Sequence, residues 1–309
     1  MNILNYTLLD VFTTKQFGGN QLAVFYGEEA LSTEIMQRIA RELNLSETVF
    51  IFTADSPSAD KKLRIFTPQL ELPMAGHPTI GAAYVLAEKE ILKTEPGQNQ
   101  WIFEEKVGNI PITVYRDHSR ISKIEMKQPN PVFGEKIQDY ERAASLLSLS
   151  IDDINMNFPI QTVSTGVPFL FIPVQSLAAI KRINFRTDVW EKYFSRNPHT
   201  TNIFTFTAET EELESTVHSR MFAPAMGISE DPATGAASGP LGAYLVEHGV
   251  IPSNEEGKYF IRSEQGFEIG RPSYIDISIQ KNGNDYKEVK IGGNCVIMGS
   301  GQIYISSLK

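Results

Sequence analysis

The sequence RIFTP at residues 64–68 recurs as RMFAP at residues 220–224, 156 residues later in a chain of 309. The first copy runs on to AGHPTIGAA at residues 75–83, and the second to DPATGAAS at residues 231–238. Each of these stretches opens a helical pattern rich in small and apolar residues. A sequence that repeats in this way predicts two similar domains. Because ligands bind preferentially where domains meet, we expect the active site in a cleft between the two copies.

Two further echoes support the duplication. VFIFT at residues 49–53 resembles IFTFT at residues 203–207, and GNQLAV at residues 19–24 resembles GVPFLF at residues 166–171. Short runs of β-branched and aromatic residues are typical of buried strands and are too brief for helices. The repeated unit is therefore expected to contain strands as well as a helix.

Composition is typical of a soluble enzyme of about two domains. The chain has 28 Lys and Arg against 37 Asp and Glu, a formal charge of −9, and no dense basic stripe, which argues against a nucleic-acid partner. No signal-peptide pattern and no apolar window long enough to span a membrane is present, so we expect a cytoplasmic protein without a membrane partner. A single cysteine, Cys295, excludes an intramolecular disulfide and two-cysteine chemistry.

The predicted domains are residues 1–128 and 129–298, with residues 299–309 forming a terminal strand that returns to the first domain. The first helix should be capped by Ser32, carry Ile35, Ile39 and Leu43 on one face and end at Asn44. Strands are expected in the first half at residues 6–12, 21–25, 48–52, 63–66, 111–115 and 121–126. Strands are expected in the second half at residues 161–174, 203–206, 217–222, 258–261, 274–279 and 302–305, around a long helix at residues 232–247.

The two long helices should both begin at a proline. Pro78 follows His77 and Pro232 follows Asp231, and proline is favoured at the first helical position because its missing N–H would be unpaired there anyway. Two helix starts that face one cleft would favour a small carboxylate ligand. The alternative is that both are merely well-capped core helices. Pro240 should kink the second helix.

Glu47 lies between a helix exit and a buried strand, where partial desolvation would raise its carboxyl pKa toward the range of a general base. From position alone, Glu47 could equally be a solvated flank, and His77 a capping or core histidine. Nucleotide-binding, serine-hydrolase and zinc-protease motifs are absent, and the histidines lack metal-ligand spacing. We therefore expect no metal and no tightly bound organic cofactor.

Five motifs in order along the chain resemble the phenazine biosynthesis PhzF-like family. They are DVF at residues 10–12, GNQLAV at 19–24, LSETVF at 45–50, MAGHPT at 74–79 and EDPATG at 230–235. The resemblance implies an α+β fold of the diaminopimelate epimerase type. In that fold two similar domains each wrap a curved, mostly antiparallel sheet around a central helix, with the active site between them.

The resemblance also implies roles for single residues. Glu47 would be the acid/base that moves a proton on the substrate, and His77 and Asp231 would help to bind and orient it. Further substrate-binding positions implied by the motifs and helix starts are Asn20, Gly76, Pro78, Thr79, Thr234, Gly235 and Ala236.

The sequence departs from the family at two visible positions. Ala236 replaces a common serine, and Gln21 replaces a frequent proline. Related epimerases place two cysteines at the helix starts, whereas Cys295 lies elsewhere in this chain. A two-thiol racemisation is therefore excluded, and the substrate can differ from that of the phenazine enzymes.

The sequence thus predicts a cofactor-free isomerase that moves a proton on a small carbon acid bearing a carboxylate. The alternative is a binding or sensor protein of the same fold that keeps the carboxylate site without turnover. The expected partners are a small anionic substrate and a second copy in a homodimer.

Overall fold

The computed structural model describes residues 2–27, 31–252 and 256–306, and the chain divides into two compact units. Unit 1 comprises residues 1–127 and 292–309, and unit 2 comprises residues 128–291. The sequence prediction divides the chain after residue 128 and lets it return at residue 299. The return to unit 1 starts earlier because its strand, Cys295–Ile305, is longer than the predicted 302–305 and pairs with the first strand of the chain.

Unit 1 contains two helices and nine strands among its described residues. The helices are α1 (Thr33–Leu43) and α2 (Gly76–Glu88). The strands are β1 (Asn2–Val11), β2 (Asn20–Tyr26), β3 (Glu47–Phe52), β4 (Lys61–Phe66), β5 (Glu71–Leu72), β6 (Gly97–Glu105), β7 (Gly108–Arg116), β8 (Ile121–Gln128), which ends one residue into unit 2, and β18 (Cys295–Ile305).

The sheet of unit 1 is mostly antiparallel. Strand β1 pairs with β18 and β2, β3 with β4, and β6 with β7, which pairs with β8. Two pairings are parallel, β2 with β3 and β4 with β6. Successive side chains of a strand point to opposite faces. Accordingly, Ala23 and Phe25 pack into the α1 cluster, whereas Leu22 lies beside Gly81 of α2.

Helix α1 forms as its sequence predicts. The Ser32 side chain accepts a hydrogen bond from the backbone N–H of Ile35, and Asn44 ends the helix in the left-handed conformation. The buried residues are Met36, Ile39 and Ala40, whereas Ile35 and Leu43 of the predicted face are only partly buried against the same cluster. These signals are local, so they could be identified without knowledge of the sheet beneath the helix.

Unit 2 repeats the scheme and adds short helices. Its helices are α3 (Tyr140–Leu147), α4 (Leu177–Lys181), α5 (Thr187–Tyr193) and α6 (Gly235–Glu247). Its strands are β9 (Val132–Ile137), β10 (Ile160–Ser164), β11 (Pro168–Pro173), β12 (Ile203–Thr207), β13 (Val217–Ala223), β14 (Ile228–Asp231), β15 (Lys258–Gln265), β16 (Ser273–Asn282) and β17 (Asp285–Gly293).

The pairing pattern confirms that the two units are copies of one topology. The parallel pair β11–β12 corresponds to β2–β3, and the parallel pair β13–β15 corresponds to β4–β6. The central helix is α2 in unit 1, against β1, β2, β3 and β7, and α6 in unit 2, against β10, β11, β15 and β16. Both helices are buried on almost every side, which small residues permit.

The repeated arginines make the same contacts in each copy. Arg64 forms two parallel hydrogen bonds to Glu71, both 2.8 Å, and Arg220 forms two to Glu230, at 2.8 and 2.7 Å. Their guanidinium carbons lie 5.3 and 5.2 Å from the ring centroids of Phe66 and Phe222. The RxFxP spacing is thus the sequence signature of a strand whose arginine binds a glutamate through two hydrogen bonds, an arrangement called the clamp below.

One of the predicted echoes is out of register by one residue. Thr48 pairs with Phe66 and Ile203 pairs with Phe222, and these phenylalanines occupy the same place in the repeat. Thr48, rather than Val49, therefore corresponds to Ile203. Alternating apolar strands look alike after a shift, so sequence similarity alone does not fix their register.

The central helices do not start at their prolines. Helix α2 begins at Gly76, two residues before Pro78. Pro78 is tolerated there because the N–H groups of the first helical turn have no partner within the helix. Helix α6 begins at Gly235, three residues after Pro232, because β14 keeps the chain extended to Asp231. Pro240 lies inside α6 and does not end it. In the described part of the chain, every helix is too short or too polar to cross a membrane.

Candidate active site

Unit 1 brings a carboxylate and an imidazole into contact. Glu47 is the first residue of β3 and His77 the second residue of α2. Glu47 Oε2 lies 3.3 Å from His77 Nε2, and the two side chains are only 10% and 4% exposed. The alternative of a solvated Glu47 is wrong, because the carboxylate is buried against α2. This pair is the group best suited to acid/base chemistry in unit 1.

His77 is neutral in this environment. Burial lowers the pKa of its imidazole to about 3, and a hydrogen bond with the backbone of Gln21 opposes the shift only in part. Because Nε2 faces Glu47, the nitrogen that bonds the Gln21 backbone is Nδ1. An imidazole is the donor in a hydrogen bond to a backbone carbonyl, so Nδ1 carries the hydrogen and Nε2 keeps its lone pair toward Glu47. A protonated Glu47 can therefore donate to His77.

Asn20 starts the neighbouring strand β2 and is fully buried. Ser46 Oγ donates to Asn20 Oδ1 at 3.2 Å, directly before Glu47 in the chain. Gly19 has a φ of +65°, and a Cβ there would lie 2.4 Å from the carbonyl oxygen of Val11. The glycine in the GNQLAV motif thus allows the tight approach that places Asn20 beside the start of β3.

The first turn of α2 holds the other predicted residues of unit 1. Gly76, Pro78 and Thr79 are all buried. Thr79 Oγ1 donates to the carbonyl of Ala75 at 2.6 Å and also contacts Glu105 on β6. These bonds tie the turn that carries His77 to the sheet.

Unit 2 holds a second polar cluster. Thr234 Oγ1 donates to Asp231 Oδ2 at 2.6 Å, and both residues are buried. Gln265 Nε2 donates to the Asp231 carbonyl at 2.7 Å and to Thr234 Oγ1 at 3.0 Å, while its Oε1 accepts from the Thr234 N–H at 3.2 Å. The first turn of α6 is thereby fixed at its N-cap.

Gly235 and Ala236 follow this cluster. The carbonyl of Gly235 accepts from Gln128 Nε2 at 3.0 Å, and Ala236 is partly exposed. A methyl group at position 236 offers no hydrogen bond, in contrast to the serine that the family motif favours. The Ala236 side chain can therefore make only apolar contacts.

The predicted site residues fall into two groups, one in each unit. Unit 1 holds Glu47 and His77 with Asn20, Gly76, Pro78 and Thr79, and unit 2 holds Asp231 with Thr234, Gly235 and Ala236. The prediction that both groups serve one cleft stays a prediction. Sequence reasoning missed Glu105 and Gln265, although both end a strand at equivalent places in the repeat.

Cys295 starts β18 and is buried. Burial raises the pKa of its thiol far above the ordinary value, so the reactive thiolate is scarce at neutral pH. We expect Cys295→Ser to leave activity and unfolding temperature close to those of the parent, and iodoacetamide to leave native protein unlabelled. Loss of activity on labelling, with the circular dichroism spectrum unchanged, would contradict a thiol-free site.

The two units define a duplicated α+β protein with a buried carboxylate beside an imidazole. The family model described as phenazine biosynthesis-like protein, PhzC-PhzF, matches residues 9–301. The chain therefore belongs to this family, as its motifs indicated.

Individual relatives agree over the whole chain. An uncharacterized isomerase of Mesorhizobium japonicum is 37% identical over 99% of this chain and 100% of its own length. The trans-2,3-dihydro-3-hydroxyanthranilate isomerase of Pseudomonas aeruginosa is 33% identical over 97% of this chain and 99% of its own. The crystal structure of a PhzF-family phenazine biosynthesis protein of Bacillus anthracis has a TM-score of 0.89 at 28% identity, covering 99% of this chain and 100% of that one. The predicted fold is confirmed, and the chain belongs to a family of isomerases.

Proposed function

We propose that this protein moves a proton between two carbons of a small carbon acid that bears a carboxylate, by general acid/base catalysis at Glu47. The observation that carries the proposal is the buried contact between Glu47 and the neutral imidazole of His77. A carboxylate held in a dry site is a stronger base than one in water, because burial disfavours its charged form. Positioned proton transfer of this kind contributes about 10²–10⁴-fold to a rate.

Glu47 and His77 have different roles in the proposed proton transfer. Glu47 takes a proton from one carbon of the substrate and becomes a neutral acid, and it returns the same proton to another carbon as the double bond moves. While Glu47 is protonated, it can donate to the lone pair on His77 Nε2. His77 thus stabilises the intermediate state of Glu47 without changing its own charge.

The negative charge that develops on the substrate also needs partners. The first turn of α2 at Gly76 and that of α6 at Gly235 present backbone N–H groups, which stabilise developing anions. Asp231 and Thr234 are held by Gln265 and offer polar groups that can orient a substrate amine or hydroxyl.

Deuterium exchange tests the proposal directly. Because a relative is named trans-2,3-dihydro-3-hydroxyanthranilate isomerase, that compound is the first substrate to test, followed by other small unsaturated carboxylates. In heavy water the protein should introduce deuterium at carbon, as seen by NMR. Binding of these carboxylates without any exchange would instead favour the sensor alternative.

His77→Gln and Asp231→Asn are expected to weaken substrate binding as well as turnover. Glutamine lacks the rigid imidazole ring that bonds the Gln21 backbone through one nitrogen and holds the other toward Glu47, and the asparagine amide changes the partner of Thr234. We expect a rise in Kd by calorimetry together with slower deuterium wash-in. His118→Gln, at an exposed turn position, is the matched control and should behave like the parent. Unchanged affinity in both variants would remove these residues from the binding site.

A further inference from the structure

Glu105 is a buried carboxyl group outside the predicted site. It ends β6 and is 6% exposed. Oε1 lies 2.5 Å from Thr79 Oγ1, the carboxyl group accepts from the backbone N–H of Ala75, and Oε2 is buried without a hydrogen-bond partner among the described residues. An ionised carboxylate with one oxygen unsolvated in this way is costly, because nothing offsets its lost hydration.

Counting hydrogens fixes the protonation state of Glu105. Thr79 Oγ1 carries one hydrogen yet lies 2.6 Å from the Ala75 carbonyl and 2.5 Å from Glu105 Oε1. Two oxygens at that distance with no hydrogen between them repel one another, so one of the two contacts needs a second donor. If Thr79 donates to Ala75, Glu105 must donate to Thr79, which only the neutral acid can do.

The second unit shows the same bond and a neutral side chain in the same place. Ser238 Oγ in α6 donates to the Thr234 carbonyl, as Thr79 in α2 donates to Ala75. Thr234 and Ala75 are the N-caps of their helices. The Thr234 N–H donates to the last side chain of β15, and the Ala75 N–H donates to Glu105, the last side chain of β6. The side chain in unit 2 is Gln265, a neutral amide of the same shape as a protonated Glu105.

We propose that Glu105 is a positioning residue, held as a neutral carboxylic acid, that fixes the first turn of α2 and thereby His77 against Glu47. The proposal rests on the proposed function in that it assigns Glu105 to the support of the acid/base pair. Ionisation of Glu105 would turn the Thr79 hydroxyl away from the Ala75 carbonyl. The first turn of α2 would then lose one of its ties, and His77 would move relative to Glu47.

Burial is the main influence on Glu105. It raises the pKa of the carboxyl group to about 8, against the opposing effects of the hydrogen bonds from Thr79 and Ala75. The titratable groups on the neighbouring elements lie on α2, β4, β5, β6 and β7 and just after β6; they are His77, Tyr84, Glu88, Lys61, Lys62, Arg64, Glu71, Glu104, Tyr115, Arg116 and Lys106. None of these groups contributes to the shift, and Arg64 and Lys106 are already paired with Glu71.

Infrared spectroscopy tests the protonation state without any substrate. The difference spectrum of the parent minus Glu105→Gln at pH 7 should show a carboxylic acid C=O band that fades as the pH rises through about 8. Glu95→Gln, at an exposed position, is the control and should show loss of a carboxylate band instead. Absence of the acid band at pH 7 would overturn the proposal.

The resonance of the His77 ring C–H tests the positioning role, again without turnover. We expect this signal, assigned by its loss in His77→Gln, to shift with a midpoint near pH 8 in the parent. Glu105→Gln should keep the fold and abolish that shift, because its amide cannot ionise. A His77 shift that persists in Glu105→Gln means that Glu105 does not position His77.

Deuterium wash-in then connects the two proposals. In the parent, the exchange rate should fall above about pH 8, by up to tenfold per pH unit, and Glu105→Gln should lose this fall. If the acid band and the pH-dependent His77 signal are observed but no substrate exchanges deuterium, the role of Glu105 is supported and the proposed function is wrong. If the parent and Glu105→Gln both exchange deuterium and their rates fall identically at alkaline pH, the proposed function is supported and the role of Glu105 is wrong.

Discussion

Glu47→Gln is expected to abolish deuterium wash-in, with a rate loss of roughly 10²-fold or more. Glutamine keeps the size of the side chain and its position on β3, but it cannot accept and return a proton. The buried contact with His77 Nε2 remains sterically intact, because an amide nitrogen can donate to that lone pair. Substrate affinity should therefore be retained while turnover is lost.

The experiment compares affinity by calorimetry with exchange by NMR in the same preparation. Glu42→Gln, an exposed substitution on α1, is the matched control and should exchange at the parent rate. If Glu47→Gln exchanges deuterium as fast as the parent, Glu47 is a structural residue, and the proton carrier must be sought at His77 or Asp231. A loss of affinity equal to the loss of rate would instead indicate a role in binding.

Local signals in the sequence predicted local structure well. The cap at Ser32 and the left-handed Asn44 define both ends of α1 to the residue. The strand core at residues 48–52 was likewise predicted from a short apolar run, and β3 extends it only to Glu47. Such features depend on neighbours within one or two turns, which a single sequence displays.

Features set by distant contacts could not be predicted in this way. The start of α6 depends on β14, which keeps Asp231 and Pro232 out of the helix, and on Gln265, which caps the chain at Thr234. Glu105 also gave no signal, because in the sequence it belongs to a run of charged residues and only pairing of β4 with β6 brings it under α2. Glu105 and Gln265 occupy equivalent positions in the two copies of the repeat. That equivalence is visible only once the register of the paired strands is known, so the sequence alone did not reveal it.

The largest effect on stability is expected at Arg220. This side chain is 8% exposed, binds Glu230 through two hydrogen bonds and donates to the carbonyls of Ile180 and Ile183 at 3.0 Å each. Arg220→Ala leaves a buried carboxylate and two carbonyls without their donor. Removing one partner of such a buried pair costs about 3–5 kcal/mol of unfolding free energy.

The duplicated arginine is a built-in control for this prediction. Arg64 is 22% exposed, and its partner Glu71 also binds Lys106 at 2.8 Å. After Arg64→Ala, Glu71 still has a positive partner in Lys106, whose side chain is 54% exposed. We therefore expect Arg64→Ala to cost clearly less, on the order of 1 kcal/mol, as is typical of partly exposed pairs.

The two tryptophans allow each unit to be followed separately. Trp101 lies on β6 in unit 1 and Trp190 on α5 in unit 2. Urea unfolding of Arg220→Ala in a Trp101→Phe background should show an earlier fluorescence transition from Trp190, and Glu230→Gln in the same chain should restore part of the loss by removing the unpaired charge. If Arg220→Ala costs no more than Arg64→Ala, or if Glu230→Gln restores nothing, the buried clamp does not stabilise unit 2 through its charge.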